Sequence, residues 1–265
     1  MTAMTLLLLV EGPHDLEFCA RLLKPMGFRR IQQLEILKER HPFWLPLVPE
    51  RWPQRGDLLA RHPVPVFFSN PNGQSVAIIN AVGLSKLATR LGIDLAILSV
   101  QPDSIGIVLD ADDAGTPHDR HVELVKAITA RPEEETAQLQ LPKSPGTVSD
   151  GPPRCGVFVM PDNESSGTLE ELLLEAGGQA YPGLQKAATA YLQGIDGVAG
   201  LTSEDLIEFG KPAGRKKAVV AAMASILKPG KAIQVSIQDN RWLDADALRL
   251  PRIAGVTRFI QELLR

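Results

Sequence analysis

Cysteine is nearly absent from this chain of 265 residues, and its two copies, Cys19 and Cys155, form no CxxC pair. That excludes a zinc ribbon or a disulfide framework and leaves each as a small buried apolar residue. Long hydrophobic runs are also missing. The opening run Thr5–Val10 stops at Glu11, whereas a membrane span needs about 20 residues. It has neither the basic start nor the small-residue cleavage site of a signal peptide, so a cytoplasmic protein with no membrane partner is expected. Charge of one sign is not in excess. A net charge of −3 gives no global attraction to nucleic acid, so such binding would need a local basic patch or bound metal. No GxxxxGK(S/T) occurs, which argues against an intrinsic ATPase, and there is no G-x-S-x-G elbow or internal repeat.

What remains is a globular composition, 44% apolar and 22% charged, with 22 glycines and 21 prolines. It excludes disorder, collagen-like repeats and a bare coiled coil, and the Gly and Pro content implies many loops. Leu6–Val10 reads as a strand buried on both faces. Pro13 suits a first helical turn, and Leu16, Cys19, Ala20, Leu22 and Leu23 recur at helical spacing. Strands are expected at Ser75–Asn80, Ile105–Leu109 and Gly156–Met160, with helices at Leu84–Leu98 and His118–Ala130. Thr168 is positioned to cap a further helix, with Glu170 and Glu171 in its first turn. Residues 41–75 carry seven prolines and read as an irregular insertion with at most a short strand at Val64–Phe68. There Phe43, Trp44 and Trp52 suggest packing or stacking. Residues 131–154 read as an exposed, mobile loop.

From residue 177 the chain is mainly helical. Pro212–Leu227 is expected to bury Ala218, Val219, Ala222, Met223, Ile226 and Leu227, and an amphipathic helix closes the chain at 253–265. Alternating strands and helices imply an α/β fold, a mostly parallel sheet flanked by helices. The division expected is an α/β domain over 1–180 and a mainly helical part over 181–265 packed on it.

Three acidic clusters each follow a buried strand, and in a parallel sheet the carboxyl ends of the strands share the ligand-binding edge. Glu11, Asp110, Asp112 and Asp162 or Glu164 would then surround one small volume. A single acid there is ordinarily a cap or a solvated loop residue, but three clusters together repel unless a cation neutralises them. Oxygen donors without His or Cys select magnesium, manganese or calcium. A strand followed by Asp-x-Asp also serves haloacid-dehalogenase phosphatases, whose pattern ends in Thr or Val where this chain has Ala114. His118 and His121, three apart on a helix, form a pair that is more often structural than metal-binding.

Leu9-Val10-Glu11-Gly12-Pro13-His14-Asp15 resembles the strand–Glu-Gly-x-x-Asp motif that opens Toprim domains. Ile107-Val108-Leu109-Asp110-Ala111-Asp112-Asp113 resembles their strand–DxD motif, and Ile79–Gly83 falls at the family's intervening strand and turn. Phe158–Gly167 with Leu169-Glu170 resembles a stand-alone bacterial group of unassigned function, related to the nuclease half of the overcoming-lysogenization-defect (OLD) proteins. The resemblance spans about residues 4–227, interrupted by the insertion, and implies a Toprim/Rossmann-like fold. It implies that Glu11 is a metal ligand or general base, that Asp110 and Asp112 bind Mg2+ or Mn2+, and that Asp15 serves a second metal. Asp162, Glu164 or Glu170 would complete that second site, although the family has Ser-x-Glu there. Lys217 resembles the late lysine of OLD-type sites, with Arg215 and Lys216 beside it as substrate contacts.

The expected activity is metal-dependent phosphodiester hydrolysis of DNA or RNA. Such chemistry needs an activated water and a stabilised leaving oxygen, which two metals about 4 Å apart provide, and a lysine can stabilise phosphoryl charge. Arg29, Arg30, Lys38 and Arg40, with Arg51, Arg55 and Arg61 in the insertion, are candidate phosphate contacts or merely solubilising. A topoisomerase would need a tyrosine nucleophile, but Tyr181 and Tyr191 sit in a helical stretch. A primase would bring a cysteine-based zinc module. The alternative is a non-catalytic Toprim module that binds nucleic acid or acts with a separate ATPase. The oligomeric state is left open, a homodimer included.

Overall fold

The computed structural model describes residues 4–49, 64–81, 83–98, 100–112, 115–131, 136 and 138–265. Its centre is strand β1 (Thr5–Val10), whose residues 6–10 are wholly buried. Parallel to it lie β4 (Ser75–Asn80) on one side and β5 (Ser104–Asp110) on the other, with β6 (Arg154–Met160) beyond β5. Two short strands, β2 (Arg29–Arg30) and β3 (Val66–Ser69), finish the other edge in antiparallel pairing. The sheet order is β2-β3-β4-β1-β5-β6. The chain is therefore α/β with a mostly parallel six-stranded sheet, as its alternating pattern implies.

Because side chains alternate across a strand, β1 feeds two cores. Leu6, Leu8 and Val10 point to the side covered by α1 (Pro13–Leu23), α5 (Leu169–Ala180), α7 (Gly214–Leu227), α8 (Ile233–Asp239) and α9 (Pro251–Leu263). Leu7 and Leu9 point to the side of α2 (Leu34–Arg40), α3 (Leu84–Ile97) and α4 (Pro117–Thr129). Truncating one of these leucines to alanine costs about 2–5 kcal/mol. The C-terminal part lies close against the strands. A Cβ on Gly106 would meet Leu263 at 2.6 Å, and one on Gly156 would meet Phe259 at 2.6 Å. Residues 181–265, α6 (Pro182–Gln193) included, thus share a core with the sheet.

Two expectations are corrected, and one is resolved. The 131–154 segment is not an exposed, mobile loop over its described residues 138–154. Gly146 N donates to Val157 O at 2.7 Å and Ser149 N to Cys155 O at 2.8 Å, so it runs hydrogen-bonded along β6. The missing Cβ of Gly156 lets Val148 pack there. In the insertion, packing rather than stacking holds for Trp44: Pro42–Leu47 is a 3-10 turn. It buries Trp44 completely, and the Trp44 indole N–H donates to Ser75 Oγ at 2.9 Å. Trp52, Arg51, Arg55 and Arg61 lie outside the described residues. Finally, α7 buries Val220, Met223 and Ala224, whereas Ile226 is exposed. The helix packs against three neighbours, α5, α6 and α8, so a single-stripe reading of its sequence misplaces the contact.

Candidate functional site

The carboxyl ends of β1 and β5 meet through a backbone-to-side-chain bond. Glu11, just past β1, accepts a hydrogen bond at Oε1 from Asp110 N at 2.9 Å. Its main chain is fixed by the turn after β4, where Gly83 N donates to Glu11 O at 2.9 Å. Asp110 in turn accepts at Oδ1 from Leu169 N, 2.9 Å away at the start of α5. A helix N-terminus carries unpaired N–H groups and partial positive charge, so a carboxylate is stabilised there. Asp15, in the first turn of α1, accepts from Gly12 N at 2.7 Å and is buried. Glu170, also buried, accepts from Thr168 Oγ1 at 2.7 Å.

These acids act on one another. Burial, followed by the charge of Glu11, pushes the Asp15 carboxyl up to about 7. Burial also holds Asp110 well above the usual carboxylate range, and Asp15, Glu11, Glu170 and Asp112 all add to the effect. Burial raises Glu11 as well, and Asp112 adds to that. The hydrogen bond from Asp110 and the positive charges of Arg120 and Lys217 oppose the rise. The structure thus brings together Glu11, Asp15, Asp110, Asp112 and Glu170, with Lys217 close enough for its charge to act on Glu11.

Asp112 occupies a tight corner. It has a positive φ of 53° and exchanges backbone hydrogen bonds with Gly167, Asp112 N to Gly167 O at 2.9 Å and Gly167 N to Asp112 O at 3.3 Å. Its side chain is ion-paired with Arg120 of α4.

Asp162 and Glu164 are not joined to this cluster. Asp162 closes its own turn by accepting from Ser165 N at 2.6 Å and Glu164 N at 3.1 Å, and it pairs with Arg252 at 2.8 Å. Although burial raises its carboxyl, these bonds outweigh that and hold it below the usual range. Glu164 is exposed. The strand-end rule fails for β6 because the turn after it folds back toward α9. Arg215 is also turned elsewhere, pairing with Asp196 and lying over the Phe209 ring at 4.5 Å. Lys216 pairs with Glu171.

Two residues that sequence reasoning passed over belong here. His14 feels Glu170 and Lys217, and burial lowers its imidazole pKa. It stood in plain view inside the Glu-Gly-Pro-His-Asp run. Arg120 lies early in α4, where the helix dipole disfavours a cation. A basic residue in that place, eight positions after Asp112, was the available signal.

The donor set suits a hard divalent cation. Glu11 Oε2 and Asp110 Oδ2 accept no hydrogen bond among the described residues, so each carboxylate keeps a spare oxygen. Asp15, Asp112 and Glu170 are likewise each engaged by a donor of the chain through one oxygen, and among the described residues no three His, Cys, Asp or Glu side chains already form a metal-holding set.

A family model described as "Protein of unknown function (DUF3226)" matches residues 5–265. No match is found among curated proteins. Among solved structures, the crystal structure of the hypothetical protein PH0156 from Pyrococcus horikoshii OT3 is similar, with a TM-score of 0.46 and 18% identity, covering 98% of this chain and 95% of that one. The chain belongs to the DUF3226 family.

Proposed function

We propose that this DUF3226 protein is a Mg2+- or Mn2+-dependent phosphodiesterase acting on nucleic acid, a Toprim-like nuclease of the OLD type. The observation that carries this is the bond from Asp110 N to Glu11 across β1 and β5, each carboxylate keeping an oxygen that accepts no hydrogen bond among the described residues. Glu11, Asp110 and Asp112 would hold one cation, and Asp15 and Glu170 a second. Bound cations would offset phosphoryl charge and acidify a water. The chain's own part is to hold these carboxylates in place through Leu169 N and Gly12 N and to aim Lys217 at the phosphoryl oxygens. His14, which feels the charges of Glu170 and Lys217, would line the same approach.

No described helix is long and apolar enough to cross a membrane, and Cys19 and Cys155 are free and buried. Both facts suit action in the cytoplasm. One observation favours the second reading, a non-catalytic module or one completed by a separate ATPase: Asp112 is already neutralised by an ion pair with Arg120.

The test is cleavage of labelled single- and double-stranded DNA and RNA with Mg2+, Mn2+ or EDTA. Wild type is run beside Glu11→Gln and Asp110→Asn. Metal-dependent cutting abolished in both variants supports the nuclease. Folded wild type that binds Mn2+ and cuts none of the four substrates turns the assignment to the second reading.

A further inference from the structure

A cleft of about 630 Å3 opens between α1, β2, β3 and α8, lined by Glu17, Arg21, Lys24, Arg29, Arg30 and Phe68 among others. The register places it away from the acids. Arg29 pairs with Ser69, Ser69 with Ser75, and Ser75 with Thr5. Arg29 thus shares a row with the start of β1, whereas Glu11 follows its end. At about 3.3 Å per residue the separation along the strand is about 20 Å.

The charges in this cleft do not cancel. Glu17 is neutralised by Arg30, whose Nη2 lies 2.7 and 2.8 Å from the two carboxylate oxygens. Asp239 is neutralised by Lys228 at 2.9 Å. Arg21 donates to two main-chain carbonyls, Gln238 O at 3.0 Å and Leu243 O at 3.2 Å, so its charge meets no acid there. Lys24 and Arg29 are exposed and have no ion-pair partner among the described residues. Three cations therefore remain in surplus, an arrangement that suits a phosphate group.

Arg30 adds a second kind of contact. Glu17 fixes its guanidinium, and Phe68 lies under it at 5.5 Å from the ring centroid. A planar cation held this way in a cleft is a stacking surface for a nucleobase. The volume falls within the range of small-ligand sites.

We propose that this cleft binds a nucleotide, with Lys24 and Arg29 taking the phosphate and Arg30 stacking the base. The site is separate from the acidic one, which lies at the other end of the strands, and without metal the bare carboxylates there repel phosphate.

The test is therefore done in EDTA at low salt, titrating ADP, pyrophosphate and a 5′-phosphorylated oligonucleotide into wild type, the double variant Lys24→Glu/Arg29→Glu, and Arg30→Lys. ADP binding is expected in wild type, weakened at least tenfold in the double variant. Arg30→Lys is expected to weaken ADP while leaving pyrophosphate unchanged. Tighter binding of the oligonucleotide than of ADP identifies the nucleotide as a strand end, and the reverse identifies a free one. Absence of ADP binding in wild type overturns the proposal. So does binding unaffected by the double variant, or pyrophosphate held as tightly as ADP. All substituted residues line the surface of the cleft, and circular dichroism checks that the variants remain folded.

Discussion

Asp110 N donates to Glu11 Oε1 at 2.9 Å, tying together two residues 99 positions apart. Neither strand end alone makes a site. The bond fixes the Glu11 carboxylate on the main chain of Asp110, so a shift of either strand end moves both residues. Asp110 also holds Leu169 N, which adds α5 to the same unit.

Asp110→Asn separates chemistry from fold. An asparagine Oδ1 can still accept from Leu169 N, so the helix start survives. The expected result is a metal-free melting temperature at or above that of wild type, because a charge disfavoured by burial and by Asp15, Glu11, Glu170 and Asp112 is removed, with metal-dependent cleavage down by about 100-fold or more, the scale of losing a charge-stabilising group. The rise in melting temperature on adding Mn2+ should shrink in parallel. A variant that cuts normally excludes Asp110 from the reaction.

Asp15→Asn is expected to stabilise the metal-free protein. Burial and the charge of Glu11 both disfavour the ionised Asp15, and asparagine keeps the acceptor for Gly12 N while removing the charge. At pH 8 the melting temperature should rise by about 2–4 °C, corresponding to about 1 kcal/mol in a chain of this size. Stabilisation by Mn2+ should fall at the same time. Thermal unfolding with and without Mn2+ measures both, and destabilisation of the metal-free form would show that the hydrogen bond outweighs the repulsion.

Arg120→Gln separates metal binding from turnover. Arg120 pairs with Asp112 and also with Glu123 at 3.2 Å, and its charge eases ionisation of Glu11. In the resting protein it acts as the cluster's own counter-ion and competes with any added cation. Removing it should tighten Mn2+ binding about two- to fivefold, the worth of a partly exposed ion pair. Under the proposed function, cleavage should decline, because a positive charge beside the acids is lost. Titration calorimetry and a cleavage assay on the same preparation give the two directions, and weaker Mn2+ binding would refute the counter-ion role.

The central strands were legible because they are buried on both faces. Leu6–Val10 and Ile105–Leu109 are uninterrupted apolar runs, and a parallel sheet requires such runs. From these strands and the acids that follow them, Glu11, Asp110 and Asp112 could be placed on one edge. Asp162, placed with them by the same rule, does not join them, since its role depends on Arg252, 90 residues later. The edge strand Arg29–Arg30 and the helix Leu34–Arg40 were also hidden. Two residues cannot show a period, and α2 buries only Leu37. Arg120 and His14 escaped for a different reason: nothing local marks a lone side chain as facing acids that arrive from another strand.

Gly167→Ala should loosen the corner that carries Asp112. Gly167 has φ of 139°, a conformation that L side chains rarely adopt, and an added Cβ would lie 3.0 Å from the Glu171 carboxylate. Its backbone exchanges two hydrogen bonds with Asp112. A cost of roughly 1–3 kcal/mol is expected for the strained backbone, together with a larger loss of cleavage than global stability explains. Chemical denaturation beside the cleavage assay distinguishes the two effects, and an alanine variant of wild-type stability would show that the corner relaxes freely.

His121 sets a pH dependence that does not involve the acidic cluster. It lies 3% exposed in α4 with its ring 6.4 Å from that of His118. Burial pushes its imidazole below the usual 6.5, against the pull of the Pro142 carbonyl, and the charge of His118 lowers it further. The unfolded chain therefore takes up a proton near pH 6.5 that the folded chain still refuses. Stability owed to the neutral ring is complete above about pH 7, falls as the pH drops through 6.5, and levels off below the folded pKa. Each such group contributes at most about 1.4 kcal/mol per pH unit. Asp15 works in the opposite sense over part of this window, since its folded pKa is raised, so the informative quantity is a difference between proteins. His121→Phe, which keeps a ring in the same packing, should lose less stability than wild type between pH 7 and 5. Denaturant midpoints at pH 7.5, 6 and 5 measure this, and parallel curves for the two proteins would show that His121 is protonated as readily in the folded chain as in the unfolded one.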